Sequence, residues 1–169
     1  AEAISFPIMA EMSQVWLGLT HPERMWRRAA LVVAGSVTGV AITHLLARAG
    51  HRPPAPWTTP AMRTATSRYL SRGPSGYWKQ ALTGIPVKLF AAESGRRDLP
   101  LPAVVIHAAG ERAARMAVST AVVKALGKPL GPISRQHYGP YLAATGVVFA
   151  TALRGVIKHW QRPRRPGHR

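Results

Sequence analysis

The longest uninterrupted apolar pattern in the chain covers residues 29–47, AALVVAGSVTGVAITHLLA, nineteen positions without a formal charge. At about 1.5 Å rise per residue, a helix of that length spans roughly 28 Å, close to the hydrocarbon thickness of a bilayer. Cations gather at its ends: Arg24, Arg27 and Arg28 before it, Arg48 and Arg52 after it. Trp16 and Trp26 stand where headgroup-level aromatics are expected. The pattern predicts a transmembrane helix over about 21–49. Thr20-His21-Pro22-Glu23 has the spacing of a capping box with Pro in the first turn. Gly50, followed by Pro53-Pro54, supplies the stop. The competing reading is a core helix of a soluble domain, but such helices seldom run this long without a charge on any face.

A second apolar stretch, QHYGPYLAATGVVFATAL, lies within 136–160 and is followed by Arg154 and Lys158. It is a candidate transmembrane helix over about 138–158, with Tyr138, Tyr141 and Trp160 as its aromatic belts and the two cations reaching for the interface. The alternative is a helix buried against the first. Between the two, residues 51–102 are punctuated by Pro and Gly. HRPPAPWTT reads as an extended linker. Thr59-Pro60 reads as an N-cap and first helical residue opening the short helix PAMRTATSRYLSR, which Gly73-Pro74 ends. Residues 75–102 are expected to be irregular, to wrap a neighbour and to form no sheet; only the short run IPVKLF alternates. Residues 103–127 predict an amphipathic helix ended by Gly127 and Pro129, with an i,i+4 pair of Glu111 and Arg115 and a packing stripe of Val118, Val122 and Leu126.

The fold class is therefore mostly α. The divisions are an N-terminal arm (1–20), the transmembrane helix (21–50), a Pro/Gly-rich wrapping segment with a short helix (51–102), the amphipathic helix (103–127), the second apolar helix (136–160) and a basic tail (161–169).

Charge sharpens this picture. The chain of 169 residues carries 23 Lys and Arg against 6 Asp and Glu, a formal net charge of +17. Such an imbalance opposes compaction unless a partner supplies negative charge, so anionic lipid, nucleic acid or acidic protein is implied. All six acids fall before residue 112, and no Lys or Arg occurs in the first 23 residues. The chain begins at Ala1 and not Met, which reads as a mature chain whose presequence, if any, has gone. No cysteine is present, which excludes disulfides, zinc-thiolate sites and thiol catalysis. Signatures for nucleotide binding, zinc proteolysis and serine hydrolysis are missing too. No catalytic, metal-binding or cofactor-binding residue is assigned, and the expected function is not enzymatic. His44 lies inside the first span, where an imidazole either ligates haem or bonds to a neighbouring helix; no second His shares its face, which favours the helix contact.

Two features point to partners. Gly35-Ser-Val-Thr-Gly39 places glycines four apart, a flat strip on which another helix can approach closely, with Ser36 or Thr38 adding hydrogen bonds. Arg27, Arg28, Arg48, Arg154 and Lys158 stand at predicted membrane edges, where basic side chains either anchor the protein or bind anionic headgroups such as cardiolipin. Residues 22–39, PERMWRRAALVVAGSVTG, resemble the membrane segment of subunit e of mitochondrial ATP synthase. There a basic, apolar run leads into a GxxxG that packs against subunit g. The resemblance carries over to Arg28, Gly35 and Gly39. It implies an accessory subunit of a mitochondrial inner-membrane complex, held among other subunits. An accessory subunit of a respiratory-chain complex is the close alternative. A basic mitochondrial ribosomal protein is the competing class, since the charge and the Arg-rich tail suit phosphate contact; a nineteen-residue uncharged stretch argues against nucleic acid as the partner. With two spans, cations near the span ends weakly favour both termini in the matrix. With one, the acidic N-terminus would face the intermembrane space.

Overall fold

The computed structural model describes residues 21–52 and 58–161, together with Val15, Gly18 and Leu19. Helices account for nearly all of the described backbone, and no strand occurs among the described residues.

The first helix, α1 (Met25–Arg48), contains the long apolar run and is entered through a 3-10 turn, Pro22–Arg24, with Pro22 at its first position. The expected capping box is only half observable. Thr20 lies outside the described residues, and His21 occupies the cap of the turn without a side-chain bond. The Gly50 part of the predicted C-terminal stop is present; Pro53 and Pro54 lie outside the described residues. Gly50 takes φ +85°, a left-handed conformation that L side chains rarely adopt. The His51 N–H then reaches back to the Leu46 carbonyl at 2.9 Å and the Gly50 N–H to Ala47 at 3.1 Å, a Schellman motif.

Helix α2 (Pro60–Leu70) starts where the sequence puts it: the Thr59 hydroxyl accepts from the Met62 N–H at 3.2 Å. Residues 75–102 depart from expectation. They are not irregular. A 3-10 helix (Pro74–Lys79) leads into the single turn α3 (Gln80–Thr83), closed by Gly84 at φ +65°, and then into α4 (Val87–Arg96). The alternation in IPVKLF is too short to set a period. Val87, Phe90, Ala91, Ser94 and Gly95 recur at helical spacing instead, and all five are buried. Pro and Gly here terminate short helices and do not abolish them.

Helix α5 (Leu101–Gln136) overruns its predicted end, continuing through Gly127 and past Pro129 and Pro132. Each proline removes one backbone donor and crowds the preceding turn. Tertiary contacts hold the stretch nonetheless: Gly131 lies close to the Leu19 carbonyl, and Ser134 is buried. Helix α6 (Tyr138–Gln161) follows after a one-residue break.

Two contacts set the arrangement of α1 and α4. His44 meets Ser94, and Arg48 meets Asp98, four residues on in both segments; the two therefore run in the same direction. Gly95 sits at the crossing, where an added Cβ would collide with the His44 carbonyl oxygen. Helix α5 lies antiparallel along α1: Val104 shares a core with Val40 near one end, and Val123 packs on Met25 at the other. The main core joins Val40, Met62, Leu70, Tyr77, Phe90 and Val104. It lies at the Arg48 end, where α2 and α4 cover the pair.

No residue of α6 is buried, so the sequence alternative of a helix buried against the first does not hold. It is tethered at its ends by Tyr141, whose hydroxyl donates to the Val15 carbonyl, and by Trp160, whose indole N–H donates to the Thr83 carbonyl at 3.1 Å. Helices α1, with its 3-10 entrance, and α6 are both long and apolar enough to cross a membrane.

Candidate membrane interface

The outward face of α1 is largely apolar, with Thr38 the polar side chain at its middle, bonded back to its own helix. Leu31, Ile42, Leu45 and Leu46 are all exposed, Leu31 to 68%, and Trp26 stands open at the basic end. Large apolar side chains in such a row signal a hydrophobic neighbour.

The two glycines of the predicted strip do not act together. Gly39 is buried inside the chain. Gly35 opens outward, and a methyl group placed on its Cα would meet nothing within 4 Å. Nor do the intervening hydroxyls reach another helix. Thr38 donates back to the Ala34 carbonyl at 3.0 Å, and the Ser36 hydroxyl has no partner. The close helix approach within the chain is made by Gly95, a position the motif does not include. Its signal is present in the sequence: Ser94-Gly95 adds two small residues to the apolar face that Val87, Phe90 and Ala91 define.

Beside Gly35, an open apolar groove of about 650 Å³ runs between α1 and α5. Its walls are made of small side chains, Ala30, Val33 and Ala34 from one helix and Ala109, Ala113 and Ala117 from the other.

The five candidate lipid-binding cations fall into three places. Arg27 and Arg28 occupy the first turn of α1, with Arg28 donating to the His21 carbonyl at 3.5 Å. Arg48 is at the opposite end, 2.6 Å from the Asp98 carboxylate. This ion pair is largely exposed, so it contributes about 1 kcal/mol or less, and it leaves guanidinium donors for a headgroup. Arg154 and Lys158 are exposed one turn apart on α6. Trp16 and the basic residues beyond Gln161 lie outside the described residues.

The interior holds polar groups that sequence patterns place elsewhere or do not reveal. His44 is fully buried, its Nδ1 2.9 Å from the Ser94 hydroxyl oxygen. That hydroxyl donates to the Ala91 carbonyl at 2.9 Å, so its oxygen accepts from the imidazole and from Tyr77, whose hydroxyl is 3.3 Å away. His44 thus makes a helix-to-helix bond. Burial pushes the Tyr77 phenol far above its ordinary pKa, partly offset by Ser94, and keeps it protonated as a donor.

Helix α5 is arranged against the usual rule. The pair of Glu111 and Arg115 forms as expected, with a 3.4 Å contact, but Glu111 is 1% exposed and its neighbour Arg112 0%. Gln80 accepts from Arg115 at 3.0 Å, closing the cluster from α3. The predicted packing stripe points the other way: Val118, Val122 and Leu126 are exposed, Val118 to 65%. The face turned inward carries Val104, Ala108, Met116 and Val123 along with the ions. Three charges so close together, Glu111, Arg112 and Arg115, suggest a wet face; their mutual pairing allows a dry one.

No protein-family profile, characterised protein or solved structure matches the chain.

Proposed function

We propose that the chain is a non-catalytic structural subunit of a membrane-protein complex. The observation that carries this reading is α1, whose nineteen uncharged residues present an exposed apolar row between cationic ends. A row of that length is matched by hydrocarbon. The outward Gly35 and the small-residue groove beside it are suited to a helix of another subunit. The mitochondrial inner membrane is the location this reading favours, and the membrane region of ATP synthase the parent, on the sequence resemblance of residues 22–39, of which Arg28 stands in the first turn of α1 and Gly35 faces outward, while Gly39 is taken up inside the chain. A respiratory-chain complex is the second choice for the same helix. The function is to bridge subunits and fill lipid-facing gaps. Arg27, Arg28, Arg48, Arg154 and Lys158 engage anionic headgroups, cardiolipin among them, and no cofactor is required.

A competing reading, RNA contact in a mitochondrial ribosome, draws on the +17 charge. Blue-native electrophoresis of detergent-solubilised membranes, with mass spectrometry of the band containing this chain, tests the proposal. Comigration with ATP synthase subunits supports it. Comigration with another oxidative-phosphorylation complex moves the subunit to that parent. Recovery with ribosomal proteins refutes the membrane role.

A further inference from the structure

We propose that α5 enters the membrane as the antiparallel partner of α1, with its outer face against lipid acyl chains from Leu101 to Val123. This rests on the membrane reading of α1 and adds a crossing that hydropathy does not reveal. Helix α5 is not among the helices apolar enough to be recognised by composition, because Glu111, Arg112 and Arg115 lower its mean. The structure removes that objection. Glu111 and Arg112 are buried against the protein, and Arg115 is held by Glu111 and Gln80. Ionisable groups inside a membrane are tolerated when they face the bundle and pair with one another.

The outer face is what lipid requires. Between Leu101 and Val123 the exposed residues are Pro102, Ile106, Ala114, Val118, Ala121 and Val122, with Ala113 and Ala117 turned to the groove beside α1, and no polar side chain is among them. In a water-soluble helix the ions would be outside and the valines inside. The register supplies the second argument. Arg48 and Asp98 tie α1 and the start of α5 together at one end; Val123 packs on Met25 at the other. The twenty-three residues of Leu101–Val123 span roughly 34 Å and lie alongside the roughly 28 Å of Ala29–Ala47. Charged residues begin just outside both limits: Arg96, Arg97 and Asp98 before α5's apolar zone and Lys124 after it, all exposed. The covering layer of α2 to α4 lies against the Arg48 half of the pair, with Ser94 on His44 and Gln80 on Arg115, and shields that half from lipid on its own side. Residues 124–137 then emerge on the side of Arg24–Arg28, opposite to the Arg48 end.

The absence of cysteine makes the test clean. Single-cysteine variants of the full chain, Leu31→Cys, Ser71→Cys, Ala121→Cys and Gln136→Cys, are spin-labelled in phospholipid vesicles. Collision with oxygen and with a water-soluble nickel complex is then measured. Lipid contact at Ala121→Cys gives high oxygen and low nickel collision, matching Leu31→Cys. High nickel collision at Ala121→Cys with a lipid-like Leu31→Cys overturns the inference and leaves the membrane reading of α1 intact. Low collision with both probes at Ala121→Cys means protein covers it, which also overturns the inference. Water-like behaviour at Leu31→Cys refutes the membrane reading itself. In sealed native membranes an impermeant maleimide should modify Ser71→Cys and Gln136→Cys from opposite faces; reaction from the same face rejects the crossing. Ala121→Cys should react about ten-fold or more slowly than Gln136→Cys, since hydrocarbon suppresses the thiolate.

Discussion

At the scale of single residues, three glycines that look alike in the sequence have different tasks. Gly95 lies where α1 and α4 cross, and a methyl group there meets backbone, which cannot swing aside. Gly95→Ala is expected to destabilise the fold by about 2 kcal/mol or more, read as a lower denaturant midpoint by circular dichroism in detergent. Gly35→Ala should leave that midpoint unchanged or raise stability by about 0.5–1 kcal/mol, since its site is open and alanine favours helix. Gly35→Leu should preserve the fold yet reduce assembly into the parent complex, whereas Gly39→Leu, at a buried position, should damage both. Equal loss of fold for Gly35→Leu and Gly39→Leu would contradict this division. Ser94→Ala removes the acceptor shared by His44 and Tyr77 and leaves two buried donors unsatisfied, at about 1–3 kcal/mol each. An unchanged midpoint for Ser94→Ala would show that water or a relaxed rotamer replaces it. Only part of this is legible in the sequence. The spacing of Gly35 and Gly39 marks a small-residue strip, but which glycine faces inward depends on where α4 lands, and that contact joins residues about fifty apart.

Among the elements, local chemistry fixes ends better than it fixes continuity. Gly50 and Thr59 mark their boundaries because each acts within its own turn. Thr59→Ala should weaken α2 by about 1 kcal/mol and Thr59→Asp should restore most of it, as seen in the same unfolding measurement; full stability of the alanine variant would argue that the cap is dispensable. Pro129 has the local character of a stop and does not act as one, because docking of Gly131 and Ser134 outweighs the local penalty. That penalty remains in the structure. Pro129→Ala should stabilise α5 and slow amide exchange across 125–133 relative to the unmodified chain; unchanged exchange there would mean the proline is already accommodated without cost. Helix α4 escapes sequence reading for another reason. Its ten residues are bracketed by Pro86 and by Arg96-Arg97, and a short buried run shows the same apolar density whether it is strand or helix.

The whole molecule joins a covered end, built from α2, α4 and the neighbouring halves of α1 and α5, to a pairing of α1 and α5 whose far end packs Leu19, Val15 and Tyr141 around Met25 and Val123. The charge distribution and the length of α1 are visible in the sequence because they are sums over local positions. The inversion of α5 is not. Val118 and Val122 stand seven and eleven residues beyond Glu111 and so fall near its face by helical spacing; only the elements packed on each part of α5 decide that the ions are covered and these valines are not. The account as a whole stands on α1 lying in a lipid bilayer. Extraction of native membranes with alkaline carbonate tests this most directly, with high salt and ribonuclease as parallel treatments. The chain should remain with the membrane pellet in all three and enter the supernatant only with detergent. Release by carbonate, salt or ribonuclease would contradict the membrane assignment and favour a peripheral or RNA-bound protein.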